Sequence, residues 1–113
     1  MNIESSANTP RIRELNDVFR KSFSGGKVVM TASVAELPDI VRANALLEVT
    51  RFEAFSPDND PHSEHDFGSF ELVGRKFFWK IDYYDSGTEF GSENPSDSTK
   101  TTRVLTLMLA EDY

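Results

Sequence analysis

Both histidines of the chain fall in one acidic stretch, Pro57-Asp58-Asn59-Asp60-Pro61-His62-Ser63-Glu64-His65-Asp66-Phe67-Gly68. Six groups that could ligate a metal or carry a proton lie there within nine positions: Asp58, Asp60, His62, Glu64, His65 and Asp66. Imidazole and carboxylate together suit zinc, manganese or iron, and two histidines three apart can converge on one ion where a loop turns. The metal set read from this spacing is His62, His65 and Asp66. A histidine beside carboxylates could equally serve as a general base. The spacing is not H-E-x-x-H. Nor is Asp58-Asn59-Asp60 the start of an EF-hand, because the glycine at the sixth loop position and the glutamate at the twelfth are missing. The plainer alternative is a rigid loop whose carboxylates cap backbone N–H groups and whose histidines bond their neighbours.

Further on, Asp82 and Asp85 bracket Tyr83-Tyr84, and Lys80 shares a strand face with Asp82 and Tyr84. With the loop acids these residues could build an acidic cleft at one end of a sheet. The candidate binding surface is therefore Asp58, Asp60, His62, Glu64, His65, Asp66, Lys80, Asp82, Tyr84 and Asp85. No complete catalytic set accompanies it. The chain has no cysteine, which removes thiolate metal sites, disulfides and cysteine nucleophiles. It has no phosphate-binding G-x-x-x-x-G-K-[ST], no G-x-G-x-x-G and no G-x-S-x-G. Ser24-Gly25-Gly26-Lys27 has the composition of a phosphate loop but follows a helix and precedes a strand, the reverse of a helix N-terminal anion site.

The elements that must hold this surface are legible. Residues 1–8 are polar and aperiodic and read as a disordered N-terminus, with a single domain over 9–113. Thr9-Pro10 reads as N-cap and first turn of a helix, with Ile12, Leu15, Phe19 and Phe23 as its apolar stripe and Arg20 among the polar sides. Residues 27–32 read as a strand. Ser33 caps a short turn, and Pro38 opens a second helix running to about residue 52, with Val41, Ala45, Leu46, Val49 and Phe52 inward. Residues 56–66, with two prolines and four acids, read as an exposed loop. A hairpin turning at Gly74 follows, then a polar loop over 86–100 and a last strand over 101–110. The order α-β-α-β-β-β predicts an α+β fold of two layers: about four mainly antiparallel strands with two helices packed on one face. The last two strands are apolar on both faces. Phe78, Tyr84, Val104 and Met108 form either an exposed patch suited to a homodimer or the floor beneath a long loop.

Charge narrows the partners. The chain carries −7, and residues 53–97 hold eleven acids against Arg75, Lys76 and Lys80, a local −8. Nucleic acids and anionic membranes need a basic surface, so direct binding to either is not expected; a basic protein partner is favoured. Residues 1–9 show no basic-then-apolar signal segment, and no apolar run approaches the roughly 20 residues of a membrane span, so a cytoplasmic protein is expected.

Three stretches resemble the bacterial domain of unknown function 3768 family. They are Pro57-Asp58-Asn59-Asp60-Pro61-His62-x-Glu64-His65-Asp66-Phe67-Gly68, Phe77-Phe78-Trp79-Lys80-Ile81-Asp82-Tyr83-Tyr84-Asp85, and Thr102-Arg103-Val104-Leu105-Thr106-x-Met108-Leu109-Ala110. Ile12-Arg13-x-Leu15-Asn16-Asp17 and Gly26-x-Val28-Val29 fit as well, so the resemblance spans residues 10–113. It implies a small protein often encoded on plasmids and other mobile elements, supplies no catalytic residue, and suggests that the histidine loop and the aromatic hairpin form one surface.

Two functions follow as expectations. The first is a non-enzymatic interaction module, without cofactor, whose acidic surface docks on a basic nucleic-acid-handling protein, as a mobile-element inhibitor of host defence (anti-CRISPR or anti-restriction) would. The second is a metal-dependent hydrolase or metal-binding regulator built on His62, His65 and Asp66.

Overall fold

The structure, a computed structural model, describes the backbone of residues 3–113 and the side chains from residue 8 onward. The elements are α1 (Ile3–Ser22), β1 (Gly26–Met30), α2 (Ala32–Ala35), α3 (Asp39–Arg51), β2 (Phe67–Leu72), β3 (Arg75–Tyr84) and β4 (Thr102–Leu109), closed by a 3-10 turn (Ala110–Asp112). The side chains of the expected disordered segment lie mostly outside the described residues. Its boundary with the helix differs from expectation: α1 begins at Ile3, so Pro10 sits inside it rather than at its first position. Proline removes one intrahelical N–H, and the helix continues on both sides of that single gap.

The sheet order is β1-β4-β3-β2. β2–β3 and β3–β4 are antiparallel, and β1 lies parallel to β4 at the far edge. The fold is thus α+β, with a mostly antiparallel mixed sheet. Val73-Gly74 turns the hairpin with both φ values positive (50° and 75°), the twist that two-residue hairpins favour.

Alternation assigns the two sheet faces. Phe77, Trp79 and Ile81 of β3 and Leu105, Leu107 and Leu109 of β4 point to one side, where Phe19, Val34, Ala45, Val49 and Phe52 from the helices complete the core. Both long helices therefore cover one face, as the periodicity predicts. Glycine at position 68 is a packing requirement: a Cβ there would lie 2.5 Å from Trp79 Nε1 and 2.9 Å from the Phe52 ring. The other face carries Phe78, Lys80, Asp82 and Tyr84 beside Thr102, Val104, Thr106 and Met108. Of the two alternatives for this face, exposed or covered, Met108 takes the second, being buried, and Phe78 packs against Phe67 and Tyr113, at ring distances of 5.1 and 5.5 Å. The C-terminal tyrosine folds over this part of the face.

The short turn before Pro38 is a helical turn, α2, and Ser33 does not cap it. Its hydroxyl, with that of Thr31, donates to the Asp112 carboxylate at 2.7–2.8 Å, tying the C-terminal turn to the start of α2. Those bonds hold the Asp112 carboxyl below its ordinary range, Ser33 contributing most.

Candidate functional site

The stretch 53–66 leaves α3, crosses over α1 and enters β2. Its inward residues make two polar networks. In the first, Arg20 is almost fully buried and donates from Nη1 to the carbonyls of Val49 (2.8 Å) and Phe52 (2.9 Å), so it caps the end of α3. Its Nη2 donates to Asp17 at 3.1 Å, and its guanidinium lies 5.4 Å from the ring centroids of both Phe55 and Trp79. Asp17 also holds His65 through Nδ1 (3.0 Å to Oδ1, 3.1 Å to Oδ2). The imidazole stacks flat on Phe55 at 3.7 Å, and its Nε2 stands 3.7 Å from Asp60. Arg20, Asp17, His65 and Asp60 thus alternate basic and acidic groups across α1 and the loop.

Asp60 is buried, and its Oδ1 accepts the backbone N–H groups of Glu64 and His65, each at 3.1 Å. That cap supports a backbone in which Ser63 (φ 58°) and His65 (φ 56°) both sit in the left-handed region, where non-glycine residues are uncommon.

The second network centres on Asn16, which is fully buried. Its amide donates to the Glu64 carbonyl (2.9 Å) and the Tyr83 hydroxyl (2.8 Å), and its oxygen accepts from Arg103 Nε at 2.6 Å. Tyr83 in turn donates to Glu64 Oε1 at 2.7 Å. Burial, and then the bond to Glu64, push the Tyr83 phenol far above its usual range, so it acts as a fixed hydrogen-bond donor. Burial lowers Arg103, which remains a cation, and its guanidinium lies 5.2 Å from the Tyr83 ring centroid.

The candidate surface therefore divides. Asp60, Glu64 and His65 face inward and hold the loop. Asp58, His62, Asp66, Lys80 and Asp82 line one open cleft of about 390 Å3, with Phe67 and Tyr113 among its walls. Lys80 donates to Asp82 at 3.0 Å, which raises the lysine above its ordinary value. Asp66 has no such partner. Burial raises its carboxyl, nearby Glu64 raises it further, and only its own backbone N–H and the His62 ring oppose Glu64 and Asp60. Tyr84 sits two residues beyond Asp82, bridged to Gly91, and Asp85 caps the following turn. His62 and Asp66 share the cleft while His65 turns away to Asp17. Among the described residues no three histidine, aspartate or glutamate groups come together as a metal site.

Sequence reasoning missed Asn16, Asp17, Arg20, Tyr83 and Arg103 as the residues that position the loop. Asn16 and Arg20 do carry a signal, because Ile12, Asn16 and Arg20 recur every four residues along the buried stripe of α1. Arg20 belongs to that stripe and not to the polar sides, because its donors find the carbonyls that α3 leaves unsatisfied.

Other concavities are built differently. One, of about 680 Å3, runs along α1 beside Arg11, Arg13, Glu14 and Lys21, where charge is mixed and Arg11 pairs with Glu14 at 2.7 Å.

The fold is a helix-backed four-stranded sheet that carries an acidic–aromatic cleft. The chain belongs to the family described as Protein of unknown function (DUF3768), whose model matches residues 30–112. No curated protein and no solved structure matches the chain. Among the described residues no helix is long and apolar enough to cross a membrane.

Proposed function

We propose that the chain is a non-enzymatic recognition module that docks on a basic protein, receiving a cationic side chain of that partner in the acidic–aromatic cleft. The observation that carries this reading is the cleft itself. Asp58, Asp66 and Asp82 line it with Phe67 and Tyr113, and among the described residues only Asp82 pairs with a lysine or arginine, Lys80. Carboxylates beside aromatic rings suit a guanidinium or ammonium group, which gains both charge pairing and contact with a ring. A cation would relieve the repulsion that Asp66 feels from Glu64 and Asp60.

The wider field agrees. Among the described residues the bases of the first half do little to neutralise the acids of the second: the one ion pair between an Arg or Lys of residues 1–50 and an acid beyond is Lys21–Glu53, at 3.7 Å. Such a surface repels phosphate and complements a groove built for nucleic acid. It fits a bacterial, cytoplasmic inhibitor of the anti-CRISPR or anti-restriction kind, carried on a mobile element. No observation favours the metal-dependent alternative, since His65 is engaged by Asp17 and stacked on Phe55.

The test is capture of partners from host lysate at low and high salt, with wild type and with Asp58→Asn/Asp66→Asn/Asp82→Asn. The expected partners are basic proteins whose capture falls steeply with salt and in the triple variant. Partners indifferent to both changes would overturn the reading.

A further inference from the structure

Beyond Asp82 and Tyr84, β3 runs into a turn that presents Phe90 with 70% of its surface exposed. The turn is built. Asp85 donates its N–H to the Phe90 carbonyl at 2.7 Å, accepts the Thr88 N–H at 2.9 Å, and its carboxylate accepts the N–H of Glu89 at 3.1 Å. Gly91 then bridges back to Tyr84, and Ser92 donates to the Tyr83 carbonyl at 3.0 Å. The residues on both sides of Phe90 are therefore fixed by the sheet. Phe90 helps to line a depression that carries two acids, Asp85 and Glu93, against one base, Lys100, and Glu89 precedes it in the chain.

We propose that Phe90 is an aromatic anchor that inserts into an apolar pocket ringed by lysine or arginine on the partner protein. Three features support this. The ring is apolar and left in water, so its sequestration favours association. The turn is ordered before encounter, so little entropy is lost on docking. An aromatic centre with a charged rim is the anatomy of an interface hot spot, and the rim's sign selects a basic surround. The proposal takes from the preceding section only the charge of the partner; the cleft and the anchor are separate contacts.

The test places the photoreactive aromatic p-benzoylphenylalanine at position 90 of the full chain, with Val73, exposed at the opposite hairpin tip, as the control position. After irradiation in host lysate the crosslinked segment is mapped by mass spectrometry. The expected result is an adduct at position 90, absent at 73, on apolar residues of a segment flanked by lysine or arginine. Its yield falls about threefold or more in Glu89→Gln/Glu93→Gln or at high salt. In parallel, Phe90→Ser leaves the melting temperature unchanged and weakens binding to the partner so mapped by about tenfold or more. No adduct above the control, an adduct with a second copy, or an adduct on a polar or acidic segment overturns the anchor. An adduct that survives Asp58→Asn/Asp66→Asn/Asp82→Asn unchanged upholds the anchor while removing the cleft, so the two readings fail separately.

Discussion

Replacing Arg20 with methionine fills the same space but removes every donor at the point where α1, the end of α3 and the loop meet. The structure specifies what is lost: bonds of 2.8 and 2.9 Å to the Val49 and Phe52 carbonyls and the 3.1 Å pair with Asp17. Orphaning the two buried carbonyls, with a smaller loss from the partly exposed Asp17 pair, costs about 3–5 kcal/mol. A chain of this length loses about 4 °C of melting temperature per kcal/mol, so a drop of about 12–20 °C is expected. Arg20→Lys recovers little of it, because a point ammonium cannot serve two carbonyls and a carboxylate together. The assay is urea unfolding of wild type, Arg20→Met, Asp17→Asn and the double variant, which isolates the Arg20–Asp17 coupling. A loss below about 1 kcal/mol for Arg20→Met would refute the claim that this side chain joins the helices to the loop.

Three further outcomes follow from the same geometry. Asp66 has a raised carboxyl, so its ionised form opposes folding; Asp66→Asn should melt above wild type at neutral pH, with the difference shrinking as acid protonates Asp66, checked by melts across pH. Asp112 is lowered instead, so its contribution exists above the unfolded carboxylate range and disappears as pH falls through its native value; Thr31 and Ser33 amide resonances should report that step in wild type and not in Asp112→Asn. Gly68→Ala drives a methyl into the Trp79 indole and should cost about 1–3 kcal/mol in chemical unfolding, with altered tryptophan fluorescence.

Periodicity carried the fold well where a side chain's fate depends on its neighbours in sequence. The alternation Phe77, Trp79, Ile81 against Phe78, Lys80, Asp82 named the core face of β3, and Ala45 and Val49 named that of α3. The parallel pairing of β1 with β4 left no local trace, because it joins residues 26–30 to 103–107. The site divided in the same way. That the histidine loop and the hairpin form one surface was implied by the family resemblance, and Asp58, His62, Asp66, Lys80 and Asp82 do meet in one cleft. Which acids face inward was not visible, because that is decided by Asp17, Asn16 and Tyr83 across separations of 48 and 19 residues. Arg20 reads as a surface residue by its type, and only its spacing from Ile12 and Asn16 points inward. The open carbonyls at the end of α3, with Asp17 and the Phe55 and Trp79 rings, make its burial favourable.

The recognition claim is tested most directly by titrating the isotopically labelled chain with an oligo-arginine peptide and following backbone amide resonances. The account predicts shifts centred on Asp58, Asp66, Phe67, Asp82 and Tyr113, weakened by salt and abolished in Asp58→Asn/Asp66→Asn/Asp82→Asn. Shifts confined to α1, or a cleft silent at saturating peptide, would contradict it.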